Sequence, residues 1–319
     1  TLDRSSAASD VYKRQAQVAV YLAYAGPNSH ALVDRELYLP KSWIDDSERR
    51  QCAGVPTDVE FATKPALAER MITRAVAAGV PARWATGDEV YGADPDLRAA
   101  IAAQGLGYVL AVGSNRTVTT STGSQRVDEL ARSLPRRAWR RVSAGTGAKG
   151  QRWYSWTLVE ITDAEPGHHH LLVRRNDKTA ELAYYRCYSP NPVTLADYVR
   201  VAGRRWKVEE SFQAGKGLAG LDEHQVRTWT SWHRWVTLSM LAHAFLVVTT
   251  AAQRRSDEPD DQTGQTLITL TVNEFRRLFI ALVLQPLHAV ADVLAWSTWR
   301  RRHQTRARTY HYRKQHQQQ

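Results

Sequence analysis

Asp88 follows a short β-prone run and Gly87, which puts a carboxylate at the carboxyl end of a strand, where ligands gather in α/β sheets. Glu209 lies on a segment with helical periodicity, with Arg205 four residues before it and Lys216 seven after. At about 100° per residue these offsets fall roughly 40° and 20° from one line, so the three side chains share a helix face. Such a face is either a solvated, salt-bridged surface or an acid held between two cations. Trp153 and Trp156 stand in a β-rich stretch and either pack across strands or stack on a nucleobase. His168, His169 and His170 are adjacent; in a strand they would alternate between faces, so the run suits a loop cluster. From Val293 onward there are seven cations and no acid: Arg300, Arg301, Arg302, Arg306, Arg308, Arg313 and Lys314. With Trp299, Tyr310 and Tyr312 between them they fit either a phosphate backbone or a solvated tail.

These residues need a folded scaffold, and the composition provides for one. With 43% hydrophobic and 24% charged residues and a net charge of +11, the chain is neither disordered nor collagen-like, and two cysteines exclude a disulfide scaffold. Cys52 and Cys187 have no metal-ligand spacing and read as inert thiols of a reducing compartment. The first fifteen residues show no apolar signal core, which points to the cytoplasm. Trp235 to Ala252 has only His243 as an ionisable group and is long enough to cross a membrane. Thr237, Ser239, Thr249 and Thr250 dilute its hydrophobicity, so it is expected to be a buried core helix.

The elements that would position the candidates read in α/β order. Residues 17–25 and 31–39 form a hairpin; Thr63 caps a helix that carries Leu67, Met71, Ala75 and Ala78 on one face and closes at Gly79. Residues 81–86 form the strand before Asp88. Asp94 caps a second helix with Pro95 in its first turn, which buries Leu97 and Ile101 and ends at Gly105 before a strand over 108–112. The hairpin is expected to lead into parallel crossovers. Residues 114–193 read as a β-rich insertion with strands at 153–161, 171–174 and 182–188. A helix capped by Thr194 and Asp197 runs through Trp206 towards Gly215, and a third covers 229–250, with Trp229, Trp232 and Trp235 packing it onto the sheet. The organisation expected is thus a non-native segment at 1–15, a core at 16–113, the insertion at 114–193, returning core helices at 194–252, a linker at 253–264, and a helical basic region at 265–319.

The ordered combination of an Asp after an inner strand, a β insertion and Arg205-x3-Glu209-x6-Lys216 resembles the Y-x2-R-x3-E-x6-K signature of DDE transposases of bacterial insertion sequences. The segments 204–246 and GDEVYG (87–92) are similar to that group as well. The resemblance implies an RNase H-like mixed sheet with flanking helices, and cleavage and strand transfer at element ends. It implies two divalent ions (Mg2+ or Mn2+) about 3.5–4 Å apart. Asp88 and Glu209 would be the metal ligands, and Arg205 and Lys216 would clamp phosphate. Trp153, Trp156, Arg300, Arg301 and Arg302 are the further DNA-binding candidates. The partners implied are double-stranded DNA, namely terminal inverted repeats and target, and further copies of the chain, with no membrane. Two departures stand out. The signature Tyr position holds Ala202, and the family's first Asp belongs on a strand that precedes the recognisable sequence. No residue takes that first-Asp role; Asp3 and Asp10 lie in the non-periodic start and Asp34 falls mid-strand. The expectation is therefore a family member with impaired activity, the alternative being an inactive remnant that only binds DNA.

Overall fold

A computed structural model describes residues 17–147, 150–163, 166–256 and 270–284, together with 295–296, 298–299, 301–302 and 305–306. It divides into two compact units, one up to Ala251 and one from Ala252.

In the first unit β1 (Val18–Ala25) and β2 (His30–Tyr38) form an antiparallel hairpin that is a sheet of its own. Two short helices follow, α1 (Lys41–Ile44) and α2 (Ser47–Ala53), and then α3 (Lys64–Ala77). The Thr63 side chain accepts from Ala66 N at the start of α3, and Leu67 and Met71 are buried, whereas Ala78 is exposed just past its end. Strand β3 (Trp84–Gly87) leads into the short α4 (Glu89–Gly92), α5 (Pro95–Ala103) and β4 (Gly107–Val112). β3 and β4 are parallel, as the crossover pattern predicts. Gly92 is a packing requirement: a Cβ there would stand 1.9 Å from the Ala111 carbonyl oxygen of β4.

Beyond β4 come a small β5–β6 ladder (Thr117–Thr120, Gly123–Arg126), α6 (Val127–Ser133) and a meander of β7 (Arg140–Gly147), β8 (Gly150–Glu160), β9 (His168–Arg175) and β10 (Leu182–Ser189). The region read as an insertion is joined to the core through the backbone, because β10 pairs antiparallel with β4. One sheet results, in the order β3-β4-β10-β9-β8-β7. Leu171, Leu172 and Val173 at its centre have no exposure, the mark of a strand covered on both faces.

Next come α7 (Leu195–Arg204), α8 (Trp206–Ala219) and α9 (Trp229–Ser256). The Thr194–Asp197 capping box forms at the start of α7. Helix α7 touches both edge strands: Tyr198 meets Trp84 of β3 edge-on at 5.7 Å, and Gly203 lies so close to β7 that a Cβ would stand 2.1 Å from the Ala144 carbonyl oxygen. A helix in contact with both edges means that the sheet curls around it. The single helix expected from Thr194 to Gly215 is two helices, broken at Arg205, whose N–H reaches back three residues to the Ala202 carbonyl.

Helix α9 is apolar on two sides, which the single-face reading of its tryptophans does not capture. Trp232, Val236, Met240, Leu246 and Val247 are buried, with Trp232 against Leu32 of the hairpin; Leu238, Leu241 and Val248 are more than 60% exposed. Trp235 is also exposed, and its indole N–H donates to the Gly220 carbonyl. The expectation of a wholly buried helix is thus met on one side only. Residues 229–254 are long and apolar enough to cross a membrane by length and composition.

In the second unit α10 (Val272–Leu282) is capped by Thr271, whose side chain accepts from Glu274 N, and has no buried residue. The expected linker begins as the end of α9, which runs to Ser256; its residues from 257 onward lie outside the described ones.

Candidate functional site

Asp88 ends β3 and caps α4. One carboxylate oxygen accepts from Val90 N at 2.9 Å, the side chain is exposed, and the other oxygen remains open to solvent or a ligand. Beneath it burial, helped by the Asp88 charge, pushes the Tyr91 hydroxyl up to about 12, so Tyr91 stays a neutral phenol.

Glu209 lies in the first turn of α8, which is fastened to the hairpin at three places. Arg204, at the end of α7, donates to the carbonyls of Ala25 and Gly26 in the hairpin turn. His30 Nδ1 is 2.7 Å from Ser211 Oγ and its Nε2 is 3.2 Å from Glu210 Oε2, the two residues that follow Glu209. Tyr21 meets Phe212 edge-on at 5.2 Å. Burial pulls the His30 pKa down, and the Lys207 charge adds to that against the opposing pull of Glu210. Glu209 and Arg205 form an i,i+4 ion pair, Nη2 to Oε1 at 3.1 Å, with both side chains about one-third exposed. Lys216 lies in the last turn of α8 and is exposed.

The sequence pattern thus brings Arg205 and Glu209 together. Trp84, four residues before Asp88, meets Tyr198 of α7, but among the described residues no hydrogen bond or ion pair joins Asp88 to Arg205 or Glu209. The pattern misses the fasteners Arg204 and His30, since neither has a local periodicity to mark it. Ala202 is 9% exposed and faces the core, leaving no hydroxyl at the signature Tyr position.

The tryptophans separate. Trp156 is 1% exposed, its Nε1 donates to the Val142 carbonyl, and it packs among Leu172, Tyr185 and Val199. That burial withdraws it from any stacking role towards DNA. Trp153 is 49% exposed, with the Arg141 guanidinium 5.3 Å from its ring. The three histidines are in β9 and not in a loop; His169 is buried and His170 Nδ1 contacts the Tyr198 hydroxyl at 3.2 Å, so they do not converge on one ion. Cys187 is buried, which drives its pKa well up, whereas Cys52 is exposed. Arg301 and Arg302 are exposed and line a cleft of about 350 Å³ with Thr298, Thr305 and Arg306; Arg300 lies outside the described residues.

The hairpin acids are engaged elsewhere. Asp34 and Glu36 are both claimed by Arg74 of α3, at 2.9 and 2.6 Å. Asp3 and Asp10 lie outside the described residues. Among the described residues no group of three His, Cys, Asp or Glu side chains is placed to hold a metal ion. Asp88 and Glu209 each retain a free carboxylate oxygen, and hard oxygen donors of this kind suit Mg2+, which keeps several waters and needs only one or two carboxylates. The donor types suit such an ion; among the described residues no three-carboxylate group is present for a bridged pair.

A search of curated proteins gives no match. A family model described as DDE superfamily endonuclease matches residues 5–157, a span that starts inside the segment read as non-native and covers the hairpin, β3, Asp88, β4 and the meander as far as β8. That match spans just under half of the chain and, with the curled mixed sheet and its flanking helices, supports a DDE-type endonuclease of RNase H-like fold.

Proposed function

We propose that the chain is a transposase that cleaves and joins DNA at insertion-sequence ends with Mg2+ or Mn2+. Its target would be terminal inverted repeats in double-stranded DNA, and it would act as a homo-oligomer in the cytoplasm. The observation that carries the reading is the Arg205–Glu209 pair just past α7, a helix whose Tyr198 packs on Trp84 of the strand that leads to Asp88, together with the DDE endonuclease match. Asp88 and Glu209 would hold the metal. When bound, such an ion lowers the pKa of a water or hydroxyl nucleophile and neutralises charge on the phosphodiester.

The chain's own side chains then do the rest. Arg205 neutralises Glu209 until a substrate phosphate competes for its guanidinium, and a planar fork of donors suits a phosphate as well as a carboxylate. Lys216, unpaired among the described residues, offers a point charge farther along the same helix. The test is Mg2+-dependent nicking of a terminal-repeat duplex by the chain and by Asp88→Asn and Glu209→Gln. Both substitutions should abolish nicking while leaving duplex binding in place; nicking that survives either one overturns the assignment.

A second reading has its own support in the lack of a three-carboxylate group among the described residues. On that reading the chain is an inactive remnant that only binds DNA. Salt-dependent duplex binding with no Mg2+-dependent nicking would select it.

A further inference from the structure

The α7 face of the six-stranded sheet ends in a group of arginines that neither the sequence signature nor the family match assigns. In the cross-strand register Arg140 of β7, Trp156 of β8 and Arg174 of β9 are direct neighbours on one face. The Arg174 guanidinium lies 4.8 Å from the Tyr154 ring centroid, and its Nε is buried with no hydrogen-bond acceptor. No acid among the described residues lies within ion-pair reach of Arg174 or Arg140, and Arg140 is exposed. On the same face Arg152 donates to the carbonyls of Ala144 and Gly203, which holds the end of α7, two residues before Arg205, against this corner of the sheet. Tyr185, buried on this face, feels both cations: burial raises its pKa, and the charges of Arg174 and then Arg205 oppose the rise.

A guanidinium with a buried, unsatisfied N–H and no carboxylate is an expensive arrangement unless an anion completes it. Among the described residues the acid tied to one of these cations is Glu209, which pairs with Arg205. We infer that Arg174 and Arg140, beside Arg205, form a binding site for a backbone phosphate of duplex DNA. This rests on the DNA reading above and adds to it the contact that would hold the duplex next to Glu209. The Tyr154 ring beneath the Arg174 guanidinium limits its side-chain freedom, leaving the terminal Nη groups to meet the phosphate, while Arg140 adds a second cation from the edge strand.

The test needs neither metal nor cleavage. Binding of a short labelled duplex to the full chain is measured in EDTA across a salt series, with thermal melting as the check on folding. Arg174→Gln should lower the slope of log K against log salt by about 0.9, the release expected for one phosphate, and Arg140→Gln should lower it by a comparable amount. Binding at intermediate salt should weaken by about tenfold for Arg174→Gln and less for Arg174→Lys, which keeps the charge but not the planar stack. A folded Arg174→Gln chain with parental slope and affinity overturns the site. If that variant does not fold, an unchanged slope in Arg140→Gln overturns it instead. A parental chain with no salt-dependent duplex binding refutes the DNA reading itself, and this site falls with it.

Discussion

The hairpin and the six-stranded sheet are both antiparallel at their centres, yet they are held in the molecule by different forces. Within the larger sheet every neighbouring pair of strands shares a backbone ladder, and three consecutive central residues, Leu171 to Val173, have no exposure at all. Among the described residues the hairpin shares no ladder with it. It is attached by side chains: Val20 packs against Met71 and Leu67 of α3, Leu32 against Trp232 and Val236 of α9, and Arg204 and His30 join it to the helices that carry Glu209. Backbone ladders are cooperative, whereas side-chain attachments can be lost one at a time. The sheet should therefore unfold as a unit, with the hairpin opening below the global free energy.

The largest effect should come from the sheet. Trp156 is its biggest fully buried side chain, and Trp156→Ala should destabilise the first unit by about 3–5 kcal/mol, read as a lower denaturant midpoint with protection lost in β4, β9 and β10 together. If only β7 and β8 lost protection, the sheet would not be one cooperative body. The corresponding break in the hairpin is Arg204→Ala, which removes the donors to Ala25 and Gly26. Hydrogen bonds from a charged group contribute about 1.5–3 kcal/mol, so amides of β1 and β2 should exchange faster while those of β9 keep their parental rates. Equal acceleration in both would abolish the distinction between the two regions.

Why one region could be read from the sequence and the other could not follows from the same contrast. Thr63, Asp94 and Thr194 announce helix starts through side chains that act within three residues of themselves, and all three form the expected caps. The two strands of the hairpin are legible from composition for the same reason. Whether that hairpin joins the main sheet depends on partners far away in the chain, and period-2 patterning carries no such information. The pairing of β10 with β4 was equally hidden: the sequence marks a β-rich insertion but not that its strands continue the core sheet. At the candidate site, Arg205 and Glu209 were legible because they sit four apart on one helical stretch. Arg174 was not, because its relation to Arg140 and Arg205 exists only after three strands have paired and α7 has crossed them. Trp156 and Trp153 look alike in sequence and differ only in which face of β8 the core covers.

The hairpin side also contains a polar group that the packing does not satisfy. His243 of α9 is 1% exposed and neither ring nitrogen has a hydrogen-bond partner. Burial lowers its pKa below the ordinary 6.5, and the nearby His30 lowers it further. The unfolded chain therefore binds the proton first. Stability falls as the pH drops from above 6.5 towards the folded value, and below that the loss is complete. His243→Leu should raise stability by about 1–3 kcal/mol at neutral pH, the penalty of an unsatisfied buried polar group, and should flatten this acid slope. His30, whose pKa is also lowered, would leave a residual slope. A denaturation series from pH 5 to pH 8 checks both; an unchanged slope would mean that His243 is not the group that takes up the proton.

The smallest expected effect tests the sheet side through α7, the helix that the sheet curls around. Thr194 Oγ1 accepts from Asp197 N, and the Asp197 carboxylate accepts in return from Thr194 N at 2.9 Å. The Asp197 pKa is held below its usual range first by the hydrogen bonds from Thr194 and further by Arg200, so the cap's contribution is present above the unfolded carboxylate pKa and is lost as the pH falls through the lower folded value. Thr194→Ala should destabilise by about 1 kcal/mol at neutral pH, and the difference from the parent should shrink in acid. Because Tyr198 and Gly203 hold α7 against both edges of the sheet, this loss should be distributed over the whole first unit and not appear as local fraying. Faster exchange confined to residues 194–198 would instead place α7 with the hairpin, among the parts attached by side chains alone.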